Sequence, residues 1–259
     1  MKVEEAAEIL WQSIQRRIHF PEVLKGKLTL KEAYQVQKAI RDRWLARGEK
    51  QAGWKIGLTA DAVRNLYRAQ APAFGYLLES RQFPSGTTFQ FDEMISPALE
   101  SELCFKLKSD LKGPGVTREQ VLSAIDSVAP AFEIIERRGD MAADLPLGIA
   151  DNVAQRAYVV GAEITPYPQN LDLDLDLGQV TAEVMRNGKL EVKAVGAEVI
   201  DHQLQSIAWL ANQLVEYGAY LEAGQRIMSG SFTKPLPIQK GDRWETRFSS
   251  IGSVSAIFI

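Results

Sequence analysis

Cysteine and histidine are scarce in this chain, which has one cysteine, Cys104, and two histidines, His19 and His202. A single cysteine excludes an intrachain disulfide bond and a cysteine-rich zinc site. Two histidines disfavour a metal site built from several imidazoles. Any metal site in this protein is therefore expected to use oxygen ligands, which suit a hard cation such as Mg²⁺.

The chain also lacks a marked excess of charge and any long apolar run. Its 30 Lys and Arg residues stand against 33 Asp and Glu residues, so the formal net charge is −3 and nothing indicates a nucleic-acid-binding surface. No apolar stretch approaches the roughly 20 residues that cross a bilayer. The acidic, helical start of the chain is unlike a signal peptide. We expect a cytoplasmic protein that binds neither nucleic acid nor a membrane.

The spacing of the apolar residues changes near residue 53. Before this point, they recur at the spacing of an amphipathic helix. After it, the apolar runs become short and β-branched, with glycine or proline between them. The sequence therefore predicts an α+β protein, with a helical N-terminal subdomain over residues 1–52 and a strand-rich core over residues 53–259.

Local signals predict individual helices and strands. Thr29 and Glu32 form a capping box that opens a helix, whose apolar stripe begins at Leu30. The pair Asn187-Gly188 is typical of a two-residue hairpin turn. Because the strands do not alternate regularly with helices, a doubly wound sheet or a TIM barrel is disfavoured. Strands are predicted over residues 54–58, 100–107, 128–136, 157–160, 171–177, 181–186, 189–194, 226–228, 243–248 and 253–259.

Three carboxylates stand inside apolar runs: Glu100 and Glu102 within residues 97–105, and Glu133 within residues 130–135. A lone carboxylate is costly to bury, so each needs a partner, a raised pKa or a metal. Residues two apart on a strand point to the same face, so Glu100 and Glu102 would repel each other unless a cation lay between them. This pattern indicates a Mg²⁺ site. The alternative is that these are half-exposed acids paired with Lys or Arg.

Lys55 lies in a glycine-flanked strand with few other charges. A lysine among apolar neighbours can anchor a substrate carboxylate or act as an acid/base group. The alternative is an edge lysine that reaches water. Ser231 and Thr233 follow Gly230, where small hydroxyl residues let backbone N–H groups approach an anionic ligand. The alternative for these residues is an ordinary loop.

Taken together, these segments resemble the 2-hydroxypentadienoate hydratase / 4-oxalocrotonate decarboxylase family of the fumarylacetoacetate-hydrolase-like superfamily. The matching motifs include Lys55-Ile-Gly-Leu-Thr59, Ser96-Pro-Ala-Leu-Glu-Ser-Glu102 and Gly230-Ser-Phe-Thr233. Further matching stretches are residues 74–75, 111–114, 130–133, 150–152, 207–212, 221–224 and 251–255. Because they follow the family order and span about residues 29 to 259, the resemblance is far more specific than the Glu-x-Glu pattern alone.

The resemblance implies a fumarylacetoacetate-hydrolase-like fold with a mixed β-roll or barrel core. It implies a Mg²⁺ or Mn²⁺ ion, a small 2-oxo acid or its dienol as substrate, and a homo-oligomer that could also associate with a paralogous hydratase or decarboxylase. Glu100, Glu102 and Glu133 would hold the metal, and Lys55 falls at the family's active-site lysine. The expected substrate-binding residues are Ser231, Thr233 and Asp151.

The implied function is a metal-dependent hydratase of aromatic catabolism. It would add water to a 2-hydroxy-2,4-dienoate, of the 2-oxo-4-enoate or 2-oxohept-4-ene-1,7-dioate type, to give a 4-hydroxy-2-oxo acid. The alternatives are a 4-oxalocrotonate-type decarboxylase that uses the same Mg-dienolate chemistry, and a non-catalytic partner subunit of such an enzyme. Ala73 bears on this choice, because the hydratases usually carry aspartate at this position and the decarboxylases often carry an apolar residue.

Overall fold

The structure, a computed structural model, describes residues 1–164, 177–196 and 203–259. The predicted strand over residues 171–177 therefore lies almost wholly outside the described residues, as does His202. None of the helices within the described ranges is long and apolar enough to cross a membrane.

The helices bear out the strongest sequence signals and add two short ones. They are α1 (Val3–Gln15), α2 (Leu30–Ala46), α3 (Asp61–Tyr67), α4 (Arg118–Ala124), α5 (Leu145–Ala150) and α6 (Gln203–Leu214). The predicted capping box is confirmed, since the Glu32 N–H donates to the Thr29 hydroxyl and the Thr29 N–H donates to the Glu32 carboxylate. Leu30 is 47% exposed, however, because the stripe that packs inward begins at Ala33. Helices α3 and α5 are too short to show a helical repeat, so the sequence does not predict them.

The strands form two mixed sheets. They are β1 (Gln51–Gly57), β2 (Ala73–Leu78), β3 (Gln82–Pro84), β4 (Thr87–Phe89), β5 (Pro97–Leu107), β6 (Ile125–Glu136), β7 (Gln155–Val160), β8 (Thr181–Arg186), β9 (Lys189–Val195), β10 (Arg226–Ser231), β11 (Leu236–Pro237), β12 (Arg243–Phe248) and β13 (Gly252–Phe258). The larger sheet has the order β2-β1-β10-β5-β6-β7-β3, with β11 beside β5. The smaller sheet has the order β4-β13-β12-β8-β9. The α+β prediction is confirmed, and within the described residues neither sheet closes into a barrel.

The hairpin between β8 and β9 forms where the sequence predicts it. Asn187 and Gly188 have φ values of 53° and 78°, as a type I′ turn requires. The sequence does not predict β2, β3, β4 or β11, since three of these are only two or three residues long.

Two of the three hydrophobic clusters among the described residues pack the helices and sheets together. The main core joins both sheets and includes Phe105 of β5 and Phe258 of β13. A second cluster packs α1 and α2 against later parts of the chain, including Leu147 of α5 and Ala73 of β2. The N-terminal helices thus bury their apolar faces against the segments that surround Lys55. The domain division at residue 52 stays a prediction.

Candidate functional site

Strands β5 and β6 bring the three predicted metal-ligating glutamates together. Their antiparallel register pairs Glu100 directly with Glu133, and Glu102 lies two residues further along the same face of β5. Carboxylate oxygens, one from each residue, lie within 4.8 Å of one another. Pairing of two strands therefore creates a cluster of oxygen ligands from residues that are distant in the sequence.

This cluster is largely closed to solvent. Glu133 is 0% exposed and Glu102 is 1% exposed, while Glu100 is partly exposed. The Gly230 N–H donates to Glu102 Oε2 at 2.9 Å. Among the described residues, Glu133 Oε1 has no hydrogen-bond partner, and Glu133 Oε2 has only the ammonium of Lys55 nearby. One ammonium does not balance three carboxylates, and the oxygen-only donor set fits a hard divalent metal.

Lys55 of β1 faces the same cluster. Its Nζ lies 3.1 Å from Glu133 Oε2, and both side chains are buried, at 2% and 0% exposure. The same Nζ donates to the Val153 carbonyl oxygen at 3.3 Å. Since β1 lies inside the larger sheet, between β2 and β10, the alternative of an edge lysine that reaches water is excluded.

The charges of this group are unbalanced, because three carboxylates face one ammonium. Burial raises the pKa of Glu102 well above its ordinary value, and the charges of Glu133 and Glu100 raise it further. Burial also raises the pKa of Glu133 to about 7, although Lys55 opposes this shift. Burial lowers the pKa of Lys55, but the three carboxylates outweigh it and the pKa is raised on balance. A divalent cation among the carboxylates would relieve their repulsion.

A left-handed turn carries the carbonyl group that Lys55 contacts. The three residues of Asn152–Ala154 have φ values of 59°, 53° and 62°. This conformation is a genuine outlier for Val153, which is branched at Cβ. Backbone strain of this kind persists only where the surrounding structure enforces it, and it is concentrated at functional sites.

The side chain of Asn152 fixes this turn to β2. Its Oδ1 accepts from the Tyr76 N–H at 2.8 Å, and its Nδ2 donates to the Tyr76 carbonyl at 2.9 Å. Gly75 permits the close approach, since a Cβ there would lie 2.6 Å from Asn152 Oδ1. Asn152 belongs to the family-like stretch 150–152, but the sequence predicted no role for its side chain. The sequence signal for this turn is an asparagine just before a strand, because asparagine adopts the left-handed region more readily than most residues.

The remaining predicted binding residues lie in two different surroundings. Ser231 of β10 stands opposite Glu102 of β5, and its hydroxyl accepts from the Thr233 N–H at 3.2 Å. The Thr233 hydroxyl is buried, and among the described residues it has no hydrogen-bond partner. Asp151, in contrast, forms a buried ion pair with Arg138 and is not part of the glutamate cluster. The substrate-binding roles of these three residues stay predictions.

Ala73 lies close to the lysine strand. It pairs with Gly57 of β1, while Gly75, two residues further along β2, pairs with Lys55. Ala73 is 2% exposed. An aspartate at this position would therefore be buried on the same face of the sheet as Lys55.

The sequence is similar to that of known enzymes. Residues 65–258 match the model of the family described as fumarylacetoacetate (FAA) hydrolase C-terminal. The chain is 36% identical over 236 residues to 2-oxo-hept-4-ene-1,7-dioate hydratase of Escherichia coli, covering 90% of this chain and 88% of that protein. It is also 36% identical over 233 residues to 4-oxalocrotonate decarboxylase of Pseudomonas sp. (strain CF600), covering 90% and 86%.

The fold is similar to solved structures. 4-Oxalocrotonate decarboxylase from Pseudomonas putida G7, complexed with magnesium and adipate, has a TM-score of 0.92 and 32% identity, covering 99% of this chain and 97% of that chain. Fumarylpyruvate hydrolase from Pseudomonas aeruginosa has a TM-score of 0.63 and 13% identity, with 81% of this chain and 89% of that chain covered, which shows the fold alone. The relatives thus include both a hydratase and decarboxylases.

Proposed function

The chain belongs to the fumarylacetoacetate hydrolase C-terminal family, and we propose that it is a divalent-metal-dependent hydratase of 2-hydroxy-2,4-dienoates. The cluster of Glu100, Glu102 and Glu133, with Lys55 in contact with it, is the observation that carries this proposal. Hydration would convert a substrate of the 2-oxo-4-enoate or 2-oxohept-4-ene-1,7-dioate type into a 4-hydroxy-2-oxo acid. The protein is thus a lyase.

Glu100, Glu102 and Glu133 would hold the metal. The Gly230 N–H restrains the orientation of the Glu102 carboxylate, which keeps its oxygens in place. A bound Mg²⁺ or Mn²⁺ would act as a Lewis acid toward the carboxylate and adjacent carbonyl oxygen of a 2-oxo acid. These two ions are the ones that the family resemblance implies, and a donor set made only of oxygen suits them.

Lys55 is the proposed acid/base and binding group. Glu133 and the Val153 carbonyl hold its ammonium in one position, from which it can donate a hydrogen bond or a proton to a substrate atom. Its burial makes this interaction stronger than it would be in water. We propose that Ser231 and Thr233 contact the distal end of the substrate. Asp151 stays a predicted substrate-binding residue, although Arg138 engages its carboxylate.

Decarboxylation is the second candidate function, and Ala73 is the observation that favours it. The hydratases that this chain resembles usually have aspartate here, and a buried carboxyl beside the lysine strand is a suitable group for proton transfer. A decarboxylase needs no such group to release CO₂ from a vinylogous β-keto acid. Both reactions share the same dienol, so the metal cluster by itself does not separate them.

One product analysis separates the candidates. The Mg²⁺-loaded protein is incubated with 2-hydroxypenta-2,4-dienoate or with 2-oxohex-3-enedioate, and the products are identified by mass spectrometry. We expect the first compound to gain one water molecule. Loss of CO₂ from the second, with no hydration of the first, would make the protein a decarboxylase. Metal binding without either reaction would make it a non-catalytic subunit.

A pair of variants tests the metal cluster itself. Glu102→Gln should abolish turnover and weaken Mn²⁺ binding, measured by electron paramagnetic resonance, because it removes a charged oxygen ligand. Glu191→Gln is the matched control, since Glu191 is exposed on β9 and should change neither property. Activity that survives complete chelation would contradict the metal mechanism.

Substitution at Ala73 tests the choice of reaction. If a missing carboxyl group limits hydration, Ala73→Asp should raise the rate of water addition. Ala73→Asn is the matched control, because it has the same size without an ionisable group. Equal rates for the two variants would count against a proton-transfer role for this position.

The oligomeric state, the partner and the location of the protein are also proposals. A homo-oligomer, a complex with a paralogous hydratase or decarboxylase, and a cytoplasmic location all rest on the resemblance and the composition. Light scattering coupled to size-exclusion chromatography measures the first directly. A molar mass equal to that of one chain would overturn it.

A further inference from the structure

A cavity lies beside the left-handed turn, and none of the metal-cluster residues line it. Its volume is about 250 Å³, and its wall includes Asp151, Asn152 and Ala154. Lys55 and the three clustered glutamates do not line it. The cavity is therefore separate from the metal cluster and Lys55, although the same turn borders both and Asp151, a predicted substrate-binding residue, lies on the cavity wall.

The wall of this cavity is positively charged. Four arginines line it, against two carboxylates, which are Glu136 and Asp151. The arginines are Arg17, Arg81, Arg138 and Arg156. The surplus of two positive charges in a partly apolar recess favours an anionic occupant.

The two carboxylates are engaged by their own partners. Asp151 pairs with Arg138, whose guanidinium also donates to the Ile18 carbonyl and the Ser13 hydroxyl. Glu136 lies 3.3 Å from Arg156 Nε, and its Oε1 also accepts from the Ile95 N–H. Neither carboxylate is therefore left to neutralise the remaining arginines.

Arg81 is the guanidinium most available to a ligand. Among the described residues, no carboxylate lies within ion-pair distance of it. Its guanidinium carbon lies 5.3 Å from the centre of the Trp44 ring, which holds the planar group against an aromatic face. Burial is the main cause that lowers the pKa of Arg81, as expected for a cation that lacks an anionic partner. A guanidinium held in this way presents parallel N–H donors that match a carboxylate.

Gln155 provides an independent indication of a ligand. It lines the cavity and is 6% exposed. Within the described part of the chain, neither its Oε1 nor its Nε2 has a hydrogen-bond partner. Since buried amide groups are nearly always hydrogen-bonded, these two atoms call for a partner inside the cavity.

Part of the wall is apolar. Ile14, Ile40 and Trp44 lie on it together with Tyr76. A short hydrocarbon chain would contact these side chains, whereas a fully hydrated inorganic anion would gain nothing from them. We propose that this cavity binds a small organic carboxylate, with Arg81 on the carboxylate group and Gln155 on a second polar group of the ligand.

Isothermal titration calorimetry with glutarate tests the proposal. The protein is treated with a chelator, so that the glutamate cluster holds no metal and contributes no carboxylate binding. We expect one glutarate per chain, and we expect inorganic phosphate to bind much more weakly. The assay needs no turnover, so its failure is distinguishable from a failure of the proposed function.

Three variants assign the binding to this cavity. Arg81→Gln should weaken glutarate binding roughly tenfold or more, because it removes a charge-assisted hydrogen bond. Gln155→Leu should also weaken it, without loss of folding, because leucine fills the same space with no unpaired polar atom. Arg16→Gln is the matched control, since Arg16 is exposed, carries the same charge and does not line the cavity.

Three results would overturn the proposal. One is the absence of glutarate binding by the wild-type protein. Another is an equal loss in Arg81→Gln and Arg16→Gln, which would indicate a general effect of surface charge. The third is binding of inorganic phosphate as tight as that of glutarate, since the apolar wall would then play no part. Circular dichroism of each variant confirms that it is folded.

Discussion

Lys55 and Glu133 form an ion pair that solvent hardly reaches. Such a pair is weak evidence for stability, because the cost of removing two charges from water offsets much of their attraction. Two further carboxylates beside it make the arrangement less favourable still. Buried like charges that persist in a fold are better explained by chemistry than by stability, since strongly shifted pKa values cluster at functional sites.

Replacement of this lysine should separate catalysis from folding. Lys55→Met keeps the length and apolar stem of the side chain but removes the ammonium. We expect kcat to fall by roughly 10²- to 10⁴-fold, the usual contribution of a positioned acid/base group, while Mn²⁺ binding persists. Lys50→Met is the matched control, because the Lys50 side chain is 79% exposed. Equal activity in the two variants would remove Lys55 from the mechanism.

Glu163 gives a pH-dependent contribution to stability. Burial raises its pKa, but hydrogen bonds from Arg226 and Ser127 outweigh this and hold the pKa below its ordinary value. Because the folded-state pKa is lowered, the stabilisation is present above the unfolded-state pKa and is lost as the pH falls through the folded-state pKa. We therefore expect Glu163→Gln to lower the free energy of unfolding at neutral pH and to lower it by a smaller amount at acidic pH.

Urea unfolding at several pH values measures this contribution. The difference in unfolding free energy between wild type and Glu163→Gln should shrink as the pH falls below about 4. A difference that stays constant across the pH range would show that packing, and not the charge, explains the loss. Arg226→Gln should give the same pH dependence, since it removes the other member of the pair.

At the scale of elements, the turn Asn152–Ala154 links β2 to the side chain of Lys55. Asn152 holds the turn to β2 through two hydrogen bonds, and Val153 presents its carbonyl to Lys55. The left-handed backbone costs free energy, so the two hydrogen bonds are needed to maintain it. The turn therefore acts as a positioning element for the proposed catalytic lysine.

Removal of the Asn152 side chain tests this role. Asn152→Ala leaves the buried N–H and carbonyl of Tyr76 without partners, which should cost roughly 1–3 kcal/mol of unfolding free energy. It should also lower kcat by roughly 10- to 100-fold, because a small displacement of a reacting group is costly. Both quantities are measured on the same preparation, by urea unfolding and by steady-state kinetics.

Asn212 supplies a close control for this variant. Its side chain makes the same pair of hydrogen bonds to one backbone residue, accepting from the Val116 N–H at 2.8 Å and donating to the Val116 carbonyl at 3.0 Å. Asn212→Ala should therefore lose stability but keep its kcat. A parallel loss of kcat in both variants would mean that the turn acts only through overall stability.

At the scale of the whole molecule, the metal should link binding to folding. The glutamates come together only when β5 and β6 pair, so the unfolded chain has no comparable site. At a metal concentration about 100-fold above the Kd, the folded state gains about 2.7 kcal/mol. We expect Mg²⁺ to raise the melting temperature of wild type and of Glu191→Gln, but not of Glu102→Gln, at constant ionic strength. The same rise in all three would indicate a non-specific salt effect.

The chemical character of the site could be read from single residues. Glu100 and Glu102 stand two apart in an apolar strand, and one cysteine and two histidines leave oxygen as the expected ligand. The sequence also predicted the elements that neighbouring residues determine. Examples are the α2 capping box and the β8–β9 hairpin. The resemblance to a known family supplied the role of Lys55.

Only the tertiary structure decided which of these residues meet. The register of β5 and β6 is a long-range property, and it brings Glu133 opposite Glu100. The position of the Asn152–Ala154 turn depends on β2, a strand with no strong local signal, and on Gly75, which lets the turn approach it closely. The arginine-lined cavity joins α1, α2 and the start of β7, which no local pattern connects. The sequence by itself determined the candidate ligands and the short-range elements, because these depend on residue chemistry and near neighbours. The geometry of the site depends on packing between distant segments.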